Sequence, residues 1–89
     1  MEDDLFLRIF VDFFKDTPHG NYGTLADNLT ALNRFGNYEK VRKKIDALRK
    51  KLVKREALKC TKERDSRGHI YSTKKFNEEI LYLLYPRLK

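Results

Sequence analysis

At 89 residues, 40% hydrophobic and 12% aromatic, the chain is long enough for one small domain and too apolar to be disordered. A lone cysteine, Cys60, excludes a disulfide framework, and a formal net charge of +7 favours acidic partners: nucleic acid, acidic protein segments or anionic lipid. No apolar run approaches the ~18 residues that span a bilayer.

Asp3 and Asp4 stand where a helix N-cap belongs, and Leu5, Phe6, Ile9, Phe10 and Phe13 follow as one wide apolar helical face. This opening stretch lacks the basic lead and the small-residue cleavage site of a signal peptide. "DTPHGNYG" (16–23) ends the helix, because Pro18 biases Thr17 away from helix and two glycines follow. Thr24 with Asp27 resembles a capping box, and Leu25, Leu29 and Leu32 give a short second helix. "NRFGN" (33–37) is a turn with Gly36 as C-cap, and Asn37 caps a third helix running from about Tyr38 to Leu58. "CTKERDSRGHIYS" (60–72) lacks periodicity and reads as an exposed loop with a turn at Ser66–Gly68. Thr73 caps a last helix carrying Phe76, Ile80, Leu83 and Leu84, which Pro86 stops. The expected fold is therefore all-α: one domain over residues 1–89, about four helices, with a helix-turn-helix order and a long basic third helix.

On a helical wheel Val41, Ile45, Leu48 and Leu52 of the third helix share a narrow core sector. Lys40, Lys43, Lys44, Lys50, Lys51 and Lys54 gather in another sector, with Ala47 at its centre and Leu58 continuing the line. Arg42 and Arg49 lie on the opposite flank with Glu39 and Asp46 among them. Solvated helix faces usually mix signs, because like charges four apart cost stability. Here Lys40 and Lys44, and Lys50 and Lys54, are such neighbours, and a polyanion would relieve them. Three readings stay open: a solvated face, a nucleic-acid face, and a face for an acidic protein. A coiled coil is a poor fit, since the register meets Arg55 and Lys59 after two heptads.

"KKIDALRKKLVKRE" (43–56), then Tyr71 and "FNEEILYLL" (76–84), resembles the MADF domain, a Myb/SANT-like helical module of transcriptional regulators and chromatin proteins. Lys44, Leu48, Arg49 and Leu52 match the long helix in order, and Tyr71, Phe76, Leu81 and Leu84 match the tail. The resemblance implies a nuclear protein whose third helix faces double-stranded DNA, in a transcription or chromatin regulator. On that reading the six lysines are phosphate contacts, while Arg42 and Arg49 offer the fork that reads guanine. The competing reading of Arg49, at the edge of the core face, is that it pairs with a carboxylate or caps a neighbouring helix. Lys62, Arg64 and Arg67 are either further backbone contacts or free loop residues, and Tyr71 is read as core.

An enzyme is not expected. His19 and His69 lie in different loops, and Cys60 with His69 supplies two ligands where a structural zinc wants four. No cofactor or metal follows from the sequence. The alternative to DNA binding is a protein-interaction module, a chromatin adaptor or homodimer. It would use surplus apolar residues among Phe6, Phe14, Tyr38, Val53, Leu58, Tyr82 and Tyr85. A membrane-surface role ranks last, because acids flank the apolar opening helix.

Overall fold

Phe6, Phe10 and Phe14 recur every four residues, and in the computed structural model they form the buried centre line of the first helix, α1 (Glu2–Asp16). The structure describes residues 2–88, with side chains from Asp4 onward. Asp4 lies inside the first turn of α1; the expected cap at Asp3 falls on a side chain outside that description. The predicted face was one position off: Leu5, Ile9 and Phe13 are only half-buried, whereas Leu7 and Val11 are buried. The apolar arc of α1 is wide, and packing decides which part of it is buried. Tyr22 and Phe76 pack their rings on Phe10 with centroids 6.5 and 6.3 Å away.

α1 closes with the Thr17 hydroxyl and amide both donating to the Phe13 carbonyl (2.6 and 2.8 Å). The chain turns at Gly20, where a Cβ would stand 2.9 Å from the Phe13 ring. α2 (Tyr22–Ala31) is capped by Asn21, whose Oδ1 accepts from the Thr24 amide at 2.7 Å, so the expected cap at Thr24 is corrected by one turn. Asn is at least as good a cap as Thr, and the earlier start adds Tyr22 to the helix. Leu25, Ala26 and Leu29 are buried. Leu32 is the C-cap and 49% exposed, and Phe35 from the following turn takes the core place instead, edge-on to Phe6 at 5.2 Å. Asn33 (φ 55°) makes the left-handed exit from α2; Gly36 (φ 105°) serves the entry to α3.

α3 (Tyr38–Lys54) is capped as expected, with Asn37 Oδ1 accepting from the Lys40 amide at 3.0 Å. Val41, Ile45 and Leu52 are fully buried and Leu48 half-buried. The helix stops four residues before the expected end. The Ala57 amide donates to the Leu52 carbonyl (2.9 Å) and the Glu56 amide to the Val53 carbonyl (3.1 Å). This is a Schellman ending with Glu56 (φ 63°) in the left-handed position usually held by glycine.

The expected loop is instead an antiparallel hairpin, β1 (Leu58–Arg64) and β2 (Ile70–Phe76), with Thr61 opposite Thr73 at its middle. The turn itself was read correctly. Gly68 (φ 85°) donates to the Asp65 carbonyl, and Asp65 Oδ1 accepts from the Arg67 and His69 amides at 2.8 and 2.9 Å. The all-α expectation is thus overturned: the fold is mixed, with four α-helices and a two-stranded sheet among the described residues. Thr73 is a buried strand residue; Asn77 caps α4 (Glu78–Leu84), and a 3-10 turn begins at Pro86. The Asn77 amide donates to Ala57 and the Lys74 amide to Pro18 (2.8 and 2.9 Å), pinning the hairpin to the end of α3 and to the α1–α2 turn. α4 and the 3-10 turn are clasped to α1 by Lys15–Glu78 (3.1 Å) and Arg87–Asp4 (2.7 Å).

Candidate nucleic-acid interface

The basic surface starts from the helix-turn-helix order of α2 and α3, although their connection spans six positions, 32–37, where three or four are usual. With Val41, Ile45 and Leu52 buried, the opposite side of α3 must face solvent. Lys40, Lys43, Lys44, Lys50, Lys51, Lys54 and Ala47 are all exposed. None of the six lysines enters an ion pair among the described residues.

The stripe is nevertheless divided. Lys44 Nζ sits 5.8 Å from the ring centres of both Phe6 and Phe35, and Lys51 Nζ 5.4 Å from that of Tyr85. These two lysines lean toward α1 and the end of α4, while Lys43, Ala47, Lys50 and Lys54 form the outward line. Arg42 is half-buried, and the Arg49 guanidinium lies over Tyr22 at 5.8 Å, an aromatic partner that the sequence did not suggest. Leu58 does not continue the line: it is 2% exposed, in β1.

The hairpin carries basic residues that a loop reading left unplaced. Lys59 of β1 stands directly opposite Lys75 of β2, both exposed. Like charges in register across a hairpin are unfavourable, as they are four apart on a helix. Lys62, Arg64 and Arg67 are exposed farther toward the tip. The pairing that makes Lys59 and Lys75 neighbours has no local signal, since sixteen positions separate them in the chain.

Lys74 is the exception among the hairpin cations. It is 5% exposed, its Nζ donates to the Gly20 carbonyl (2.6 Å) and Ser72 Oγ (2.9 Å), and it lies over Tyr22 at 5.1 Å. Burial pushes its pKa below the usual lysine value. It joins β2 to the base of α2 and offers no free charge. Tyr22, with its phenol raised chiefly by burial, reaches the Sγ of Cys60 in β1 at 3.8 Å. Tyr71 is half-buried and edge-on to His19 at 4.7 Å. Thr73 Oγ1 donates to Glu63 Oε2 (3.1 Å), which leaves His19 Nδ1 at 3.1 Å to donate to Thr73. Cys60 and His69 are apart: Cys60 faces Lys74 across the ladder, while His69 sits in the turn against Asp65.

Fold and surface together place two consecutive helices, α2 and α3, beside a basic β-hairpin. No protein-family profile, curated protein or solved structure matches the chain.

Proposed function

We propose that the chain is a DNA-binding module, a binding protein and not an enzyme, that lays α3 against double-stranded DNA in a nuclear transcription or chromatin regulator. The nuclear setting rests on the MADF resemblance. One observation carries the DNA reading: Lys43, Lys50 and Lys54 flank the small Ala47 on the outward face of α3 with no carboxylate partner among the described residues. A small residue there lets the helix backbone approach a groove or phosphate wall, and lysines position without specifying sequence. Lys59 opposite Lys75 supports the same reading, because a phosphate between them relieves their repulsion. Lys40 is a further candidate. Arg42 and Arg49 flank the surface, and the ring contact of Arg49 fits an orienting role better than base reading.

Three to four phosphate contacts imply a log–log salt slope of about −3 to −4 and non-specific affinity of ~10⁻⁴ to 10⁻⁶ M at physiological salt. The test titrates a labelled mixed-sequence duplex of about 20 base pairs at two salt concentrations, with the folded Lys43→Glu/Lys50→Glu variant beside the parent. Steep salt dependence lost in the variant supports the proposal; salt-independent binding, or none, defeats it.

A second reading, a homodimer, is favoured by Leu83. Grouped by sequence with Phe76, Ile80 and Leu84 on one side of the last helix, it is 80% exposed, beside Tyr82 and Pro86. Sedimentation equilibrium separates the readings: a monomer at all concentrations removes self-association.

A further inference from the structure

The two lysines that lean away from the outward line of α3 border a groove of about 270 Å³ lined by Asp4, Phe6, Leu7, Lys44, Leu48, Lys51 and Tyr85. Its walls are apolar, and the one carboxylate among its described lining residues, Asp4, is already held by Arg87 at 2.7 Å. The cations at its rim are supported by the aromatic rings beneath them, Lys44 by Phe6 and Phe35 and Lys51 by Tyr85. Such contacts hold a lysine head group in place while leaving its hydrogens free for an anion.

From this geometry we infer that the groove docks an acidic amphipathic segment of a partner protein, one large apolar side chain entering between two carboxylates. The dimensions select this occupant. Lys44 and Lys51 are seven residues apart on α3, about 10.5 Å along its axis. One small carboxylate does not span that distance, whereas two acids placed seven residues apart on a partner helix do. Leu48 lies between the lysines at the four-and-three spacing that a helix laid in a groove reads with its own apolar anchor. The volume is below the ~300–1,000 Å³ of small-molecule sites, yet an apolar cavity of ~150 Å³ accepts a benzene ring, so one large side chain fits. A phosphate backbone makes poor use of this floor, because Phe6, Leu7 and Leu48 offer it no donor. The inference does not rest on the DNA reading: it uses Lys44 and Lys51, and the outward line uses Lys43, Lys50 and Lys54.

The test is fluorescence anisotropy of the whole chain with a labelled synthetic helical peptide of roughly 14 residues, carrying two glutamates seven positions apart around one leucine. Saturable binding is expected. Lys44→Glu/Lys51→Glu weakens it by about tenfold or more, and Lys43→Glu/Lys50→Glu by less than about threefold. Replacing the peptide's leucine with serine also weakens it by about tenfold. That third measurement leaves the protein untouched, and Lys44→Gln/Lys51→Gln replaces the reversal if the latter does not fold. Equal loss from both lysine pairs, indifference to the leucine, or no saturation below about 1 mM peptide overturns the inference. A loss of DNA binding in Lys43→Glu/Lys50→Glu with peptide binding retained separates the fate of the two sites.

Discussion

Glu56→Gly tests the step on which the placement of the hairpin depends. Glu56 has φ 63°, and the two hydrogen bonds around it, from Ala57 to Leu52 and from Glu56 to Val53, complete a Schellman ending of α3. A non-glycine residue in this region costs about 1–2 kcal/mol. Glycine removes that cost but gives up roughly 0.5–1 kcal/mol of additional backbone entropy on folding. The Glu56 side chain is exposed and makes no ion pair among the described residues, so nothing else is lost. The net expectation is a stabilisation of about 0.5–1 kcal/mol, hence a Tm higher by about 2–8 °C in a domain of this size. Thermal melting followed by circular dichroism measures it. If α3 ran on to Leu58, as its charge pattern suggests, position 56 would be helix interior and glycine would cost up to about 1 kcal/mol. The two structures predict opposite signs, so a lowered Tm refutes the hairpin junction and with it the Lys59–Lys75 pair.

Gly20→Ala is expected to destabilise by about 1–3 kcal/mol, because the new Cβ meets the Phe13 ring at 2.9 Å and the Thr17 carbonyl at 3.1 Å; urea unfolding checks it, and a neutral result removes the close approach of the turn to α1. Lys74→Met is expected to alter the pH dependence of stability. The Lys74 pKa is lowered from 10.5, chiefly by desolvation, so between that lowered value and 10.5 the unfolded chain binds more of this proton than the folded one. The contribution of Lys74 therefore improves as pH rises through that window. The parent's Tm relative to the variant's should climb toward pH 10.5, and a flat difference refutes the assignment. Lys15, raised by its hydrogen bond to Tyr82 and then by Glu78, works the other way, but it is common to both proteins and drops out of the difference.

Local chemistry was enough to locate the helices and the outward lysines. Asn37 precedes an apolar period that has one solution, so α3, its buried face and the exposure of Lys40, Lys43, Lys50 and Lys54 all follow from spacing. The same reasoning erred where two local signals competed. Thr24 and Asn21 can both cap a helix, and the earlier one does so because its frame carries Tyr22 onto Phe10 and Phe14. Thr73 and Asn77 repeat the contest, and Thr73 is taken by the hairpin.

What the sequence by itself determined is the basic charge, the lysine stripe and the turn at Gly68, because each depends on residues a few positions apart. The hairpin is different. Its strands are largely exposed and polar, so no alternation announces them, and the ending of α3 carries no glycine to mark it. Only the tertiary structure decided that Lys59 faces Lys75, that Lys74 is buried against Gly20, and that Lys44 and Lys51 turn aside onto Phe6, Phe35 and Tyr85. Those neighbours come from distant parts of the chain, and pairing across a fold is set by the packing of whole elements on a shared core rather than by any local preference.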